Sequence, residues 1–171
     1  MTIYADIAEV FLTVPDHEMY EKVLAIVLDA LESKHGVFGY IDFEGSLVCP
    51  SMTQEIFEQC EMSDKTVVFP REAWGGLWGR SLRSTRTILS NSAGRGPEGH
   101  IGIDRCIFVP IIDRDELIGL LAVANRESDY SGEDRELLQS IVGRIGPILH
   151  ARLDRAREER ERILAEEKVR A

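Results

Sequence analysis

The sequence predicts an α+β domain of layered type: a central, mostly antiparallel sheet flanked by helices, with a long helix at each end. Three observations lead there. Apolar residues recur at intervals of three and four over residues 3–14, 17–34 and 137–149, the period of helices with one buried stripe. Two nearly continuous apolar runs, 106–112 and 117–125, are separated only by Asp113-Arg114-Asp115-Glu116, a polar, turn-like link. The order of helices and hairpins along the chain then calls for helices packed over a sheet.

In order, Ile3, Ile7, Val10, Phe11 and Val14 mark a first helix, which Pro15-Asp16 interrupts. Asp16 is placed to cap a second helix, whose stripe is Tyr20, Val23, Leu24, Val27, Leu28 and Leu31. His35-Gly36 ends that helix. Residues 37–43 read as a strand, Glu44-Gly45 as its turn and 46–49 as its hairpin partner. Thr53 is a cap for a short helix through about Gln59, and 65–69 form a short strand. Pro70 opens a further helix, where its missing N–H costs nothing. On it Trp74, Leu77, Trp78 and Leu82 fall on neighbouring turns. Gly75, Gly76 and Gly79 weaken that helix by about 1 kcal/mol each relative to alanine, so they point to close backbone packing or a ligand.

A short strand at 87–90 and a loop over 91–103 precede the strand pair. Ser131-Gly132-Glu133-Asp134 is a capping box, and Leu137, Leu138, Ile141, Val142, Ile145 and Leu149 form the buried face of the helix it starts. Gly146-Pro147 predicts a bend, and Glu158–Arg162 an i,i+4 ion pair. Residues 1–16 form an N-terminal helix, 17–150 the domain proper and 151–171 a charged helical extension or linker.

The composition narrows the function. With 171 residues, 44% of them hydrophobic, the chain suits one domain with a core. The net charge is −10, and 150–171 is nearly balanced, with 7 basic and 6 acidic residues, so the acidity lies in the rest. A nucleic-acid binder needs a concentrated basic surface, which this distribution does not provide. Neither a membrane span of roughly 20 apolar residues nor a secretion signal is legible, and a cytoplasmic location is expected. Cys49, Cys60 and Cys106 match no C-x-x-C motif and are expected as reduced thiols without an intramolecular disulfide. His17, His35 and His150 show no zinc-like spacing, so no metal is expected.

Three segments then carry a resemblance. They are Cys106-Ile107-Phe108-Val109-Pro110-Ile111, Leu117-Ile118-Gly119-Leu120-Leu121-Ala122-Val123-Ala124-Asn125, and Tyr130-Ser131-Gly132-Glu133-Asp134. In this order they resemble the signature of the GAF family, and Trp74-Gly75-Gly76-Leu77-Trp78-Gly79-Arg80-Ser81-Leu82 is similar to that family's pocket-bordering helix. The likeness covers about residues 17–150 and is to GAF modules of bacterial and archaeal signalling proteins, such as sensor histidine kinases. The resemblance implies a non-catalytic sensory or regulatory domain, covalently linked to a kinase or other output domain, with a small-molecule ligand and no required cofactor.

The candidate ligand site comprises Trp74, Trp78, Arg80, Cys106, Phe108 and His100. The two indoles offer flat apolar area for core or pocket wall, and Arg80 is a partner for an anionic ligand. His100, in the loop before the central strand, is placed to offer an imidazole to a haem or a metal. Two alternatives stay open. One is a cysteine-dependent redox enzyme or sensor acting through Cys49, Cys60 and Cys106, as in the free methionine sulfoxide reductases of the family. The other is a purely structural dimerisation module. A homodimer through the terminal helices is expected, because Val142, Leu149, Ala156 and Ile163 recur every seven residues and Ile3, Ile7, Val10 and Val14 stripe the first helix.

Overall fold

The computed structural model describes residues 2–52, 67–92 and 103–170. Helices α1 (Thr2–Thr13) and α2 (Asp16–Ala30) lead into β1 (His35–Ile41) and β2 (Leu47–Met52). Strand β3 (Val67–Phe69) is followed by a single 3-10 turn (Arg71–Ala73) and helix α3 (Gly76–Ser84). Then come β4 (Ile88–Ser90), β5 (Cys106–Asp113), β6 (Glu116–Ala124) and the 39-residue α4 (Gly132–Arg170). The strands form one sheet in the order β3-β2-β1-β6-β5-β4, and every neighbouring pair is antiparallel. The α+β class, the antiparallel sheet and the long terminal helices are as expected.

The period-two alternation of β5 and β6 divides the core in two. On one face Ile107, Val109, Ile111, Leu121 and Val123 pack with Phe38 against α1, α2 and the first half of α4. On the other, Cys106, Phe108, Leu120, Ala122 and Ala124 join Leu47, Cys49, Trp74 and Leu82. Both faces of these strands are covered, which is why their sequence is apolar without interruption.

Local chemistry sets the boundaries, and several differ from the sequence reading. Pro15, not Asp16, occupies the N-cap of α2; Asp16 begins the helix and its carboxylate is held 2.6 Å from the Arg152 guanidinium. His35-Gly36 belongs to β1 rather than to a helix end, because both pair with β6, opposite Ala124 and Val123. Strand β2 continues through Cys49-Pro50 to Met52. The helix expected at 53–59 lies outside the described residues. Arg162 pairs forward with Glu166, at 2.9 Å, rather than back with Glu158.

The heptad stripe is also reassigned within this chain. Ile7 and Val10 lie in the domain's own core, as do Val142 and Leu149. Helix α1 is therefore part of the fold, wedged beside α2, and Arg152 of α4 also donates to the Phe11 carbonyl.

The capping box forms reciprocally. The Ser131 N–H donates to the Asp134 carboxylate at 2.7 Å, and the Asp134 N–H donates to the Ser131 hydroxyl at 3.2 Å. Arg126 donates to the same carboxylate at 2.6 Å and lies over the Tyr130 ring. These hydrogen bonds, Arg126 first, hold the Asp134 carboxyl down to about 2. A depressed folded-state value means stability present above the ordinary carboxylate range and lost as pH falls through that value. Asp134→Asn is expected to cost about 1–2 kcal/mol near neutral pH. In urea titrations the gap between the two proteins should close between pH 4 and pH 2; a gap unchanged at pH 2 would refute the assignment.

Candidate functional site: the aromatic face of the sheet

The face opposite α1, α2 and α4 is built around Trp74 and α3. The sequence reading put Trp74 and Trp78 on one helix starting at Pro70. Instead Pro70 starts only the 3-10 turn, Trp74 is extended (φ −68°, ψ 115°), and α3 begins at Gly76. Gly76 has φ +61°, a left-handed conformation that a side chain disfavours, and it turns the chain from the extended segment into α3. Gly79 has a different function. A Cβ there would lie 2.6 Å from the Trp74 carbonyl carbon, so α3 rests directly on the Trp74 backbone. Of the three glycines, Gly79 marks close packing, one of the two expected meanings.

Trp74 is thereby locked in place. Its indole N–H donates to the Phe69 carbonyl at 3.0 Å, its carbonyl accepts from Arg83 at 3.0 Å, and the Arg71 guanidinium sits 5.4 Å from its ring centre. Trp78 is half-buried and packs on Phe69, with ring centres 5.1 Å apart. Ser81, fully buried, ties α3 to the sheet. Its hydroxyl lies 2.7 Å from the Arg86 carbonyl oxygen and 3.3 Å from that of Phe108 on β5.

Of the six candidate site residues, Trp74, Trp78, Cys106 and Phe108 therefore share one apolar cluster. Arg80 does not join them. It projects from α3 into solvent, because the face of α3 towards the sheet is taken by Gly79 and Leu82. His100 and Cys60 lie outside the described residues. Sequence reasoning missed Ser81, since a serine inside a helix carries no periodic signal, and it missed Ala122 and Ala124, whose small side chains line the cluster on β6.

The two described cysteines are poorly suited to redox chemistry. Burial pushes the Cys49 thiol up to about 12, and it pushes Cys106 up to about 11 against a backbone hydrogen bond from Ser90. A thiolate is the reactive form, and neither site favours it. The two also lie on strands three places apart and about four residues along the sheet, on the order of 20 Å from strand spacing and rise. A disulfide needs Cα atoms within about 7 Å. Folded protein at pH 8 is expected to alkylate at Cys49 and Cys106 about 10²–10³-fold more slowly than the same thiols in urea. Peptide mapping after iodoacetamide pulses measures this, and equal rates would overturn it. Among the described residues, no group of three or more His, Cys, Asp or Glu side chains could hold a metal ion.

Comparison with known proteins agrees with this architecture. The chain is 29% identical over 110 residues to the methyl sulfide methyltransferase-associated sensor of Methanosarcina acetivorans, a match covering 60% of this chain and 11% of that much longer protein. It is similar in fold to the GAF domain of a phosphoenolpyruvate-protein phosphotransferase from Coxiella burnetii, with TM-score 0.71, 18% identity, and coverage of 91% of this chain and 95% of that one. The free methionine-R-sulfoxide reductase of Neisseria meningitidis is also similar, with TM-score 0.59, 16% identity, and coverage of 92% and 91%. Because the GAF domain model matches residues 15–150, spanning the aromatic-face cluster, all six strands and the capped start of α4, this chain belongs to the GAF domain family.

Proposed function

We propose that this chain is a non-catalytic, small-molecule-sensing or regulatory domain of a signal-transduction protein, passing its state to an attached output domain through α4. One observation carries the reading. Strands β5 and β6 serve both faces of the sheet: Cys106, Phe108 and Ala122 on the aromatic side, and Ile107, Val109 and Val123 against the helices that include α4. An occupant on the aromatic face that moves these strands necessarily moves the surface on which α4 lies. An apolar wall of indole and phenyl groups suits a small, largely apolar ligand. The small share of the Methanosarcina sensor that this chain matches supports a module within a longer protein, and a histidine kinase is the output domain we favour.

The raised thiols of Cys49 and Cys106 support a binding role over sulfoxide reduction. Incubation with free methionine sulfoxide and dithiothreitol is expected to give no reduction above a heat-denatured control. Native mass spectrometry of freshly purified protein tests the main reading. A bound small molecule, released on denaturation, is the expected result. A ligand-free spectrum, together with no thermal shift across a small-molecule library, would overturn it and favour a structural module.

We also propose a homodimer through the terminal helices. Leu12 on α1 and Ile163, Leu164 and Val169 on α4 remain exposed once the domain has packed, and a second copy would cover them. Sedimentation at tens of micromolar should report a dimer, and a monomer would refute it.

A further inference from the structure

At one end of the sheet, two hairpin tips meet the helix that leaves the domain. The β5–β6 turn has only two central residues, Arg114 and Asp115, at φ +50° and +62°, so its flanking Asp113 and Glu116 face each other as a pair. His150 of α4 fills the space beside them. Its Nδ1 is 2.8 Å from Asp113 Oδ2 and its Nε2 is 2.8 Å from Glu116 Oε2, with the side chain only 8% exposed. Each ring nitrogen thus faces one carboxylate oxygen, so the imidazole bridges the last residue of β5 to the first of β6. Asp154, one helical turn on, lies 4.0 Å from Nε2 and 3.8 Å from the Arg114 guanidinium, which itself reaches Asp113 at 3.3 Å. Farther out, the Arg160 guanidinium stands 4.3 Å from the ring centre of Phe43, in the β1–β2 turn.

The position of this clamp gives it a meaning beyond stability. His150 is the last buried residue of α4, and from Arg155 onwards every described residue is exposed. Just beyond His150, Arg152 is tied to Asp16 and the Phe11 carbonyl and Leu153 packs on the core; past Asp154 the helix meets the domain at the β1–β2 tip, through Arg160. Asp113 lies on the same strand as Cys106 and Phe108, so β5 runs from the aromatic face to the clamp.

We propose that His150, seconded by Arg160, is the latch through which the β5–β6 and β1–β2 hairpins set the order and direction of the outgoing part of α4. Opening it frees residues 155–170 while the domain stays folded. The proposal rests on the reading above only in treating that segment as the output helix.

Hydrogen exchange on the full chain, without ligand, tests the latch. His150→Gln replaces two divergent ring nitrogens by a single amide nitrogen, and roughly tenfold faster exchange is expected over residues 150–160, with the segment 136–145 unchanged. Coupling is reciprocal, so Arg160→Gln and Phe43→Ala, both at exposed sites, should speed exchange in the 112–117 hairpin as well as in the helix. Should His150→Gln fail to fold, Asp113→Asn combined with Glu116→Gln removes the same bridge from the hairpin side and should give the same pattern. Unchanged exchange over 150–160 in the folded variants would overturn the proposal, as would an even loosening of the whole domain. Because no ligand enters, failure to find a small molecule leaves this result standing, and loss of the latch leaves ligand binding testable.

Discussion

Replacing Ile7 and Val10 together with glutamate is expected to unfold the domain at room temperature, not merely to separate subunits. Both side chains sit in the cluster shared by α1, α2 and α4, at 5% and 9% exposure. A carboxylate placed in that apolar cluster must be protonated, drag water inwards or pull out of the core, and leaving a poorly compensated buried charge typically costs about 3–5 kcal/mol. Two such sites rival the whole stability of an ordinary domain, about 5–15 kcal/mol. The sequence stripe alone would assign the same residues to a dimer seam and predict a folded monomer. Circular dichroism and urea titration separate the outcomes. A variant with wild-type helix content and unchanged urea midpoint would show that α1 does not belong to this core. The mild partner experiment is Leu12→Glu, on the exposed side of α1, which should leave the domain folded with wild-type helix content.

The second large effect is at Gly79. Helix propensity predicts that Gly79→Ala stabilises α3 by about 1 kcal/mol. The geometry predicts the reverse, because the new methyl group would meet the Trp74 backbone at 2.6 Å and both neighbours are fixed. Trp74 is held by its hydrogen bonds to Phe69 and Arg83, and α3 by Ser81 against β5. Overpacking of this kind costs about 1–3 kcal/mol. The variant should melt lower and show altered indole fluorescence as Trp74 is displaced. A higher melting temperature with unchanged fluorescence would mean that α3 can slide, and would weaken the view that Trp74 is a preformed wall.

How much of this was readable beforehand follows the range of the interactions involved. The β5–β6 pair, the capping box at Ser131 and the stripes of α2 and α4 depend on neighbours within a few residues, and periodicity and turn chemistry report such neighbours directly. The start of α3 was misread because Pro70 and Gly76 both punctuate a helix, and only packing on Trp74 decides between them. His35 escaped for a related reason. After a helix it reads as a terminus, yet its pairing partner, Ala124, lies 89 positions away.

By itself, the sequence determined the α+β class, the hairpins, the capped final helix and the family likeness, since each is written in local spacing. Tertiary structure alone decided which apolar stripe became core. It sent Ile7, Val10, Val142 and Leu149 inwards, because α1 closes over the same sheet face as α2 and α4. It also gathered Trp74, Trp78, Cys106 and Phe108 on one face while turning Arg80 to solvent, and it brought His150 between Asp113 and Glu116. Those contacts join residues 28 to 37 positions apart or more, and their energies depend on burial and on distances of a few ångströms. Linear spacing does not encode either quantity.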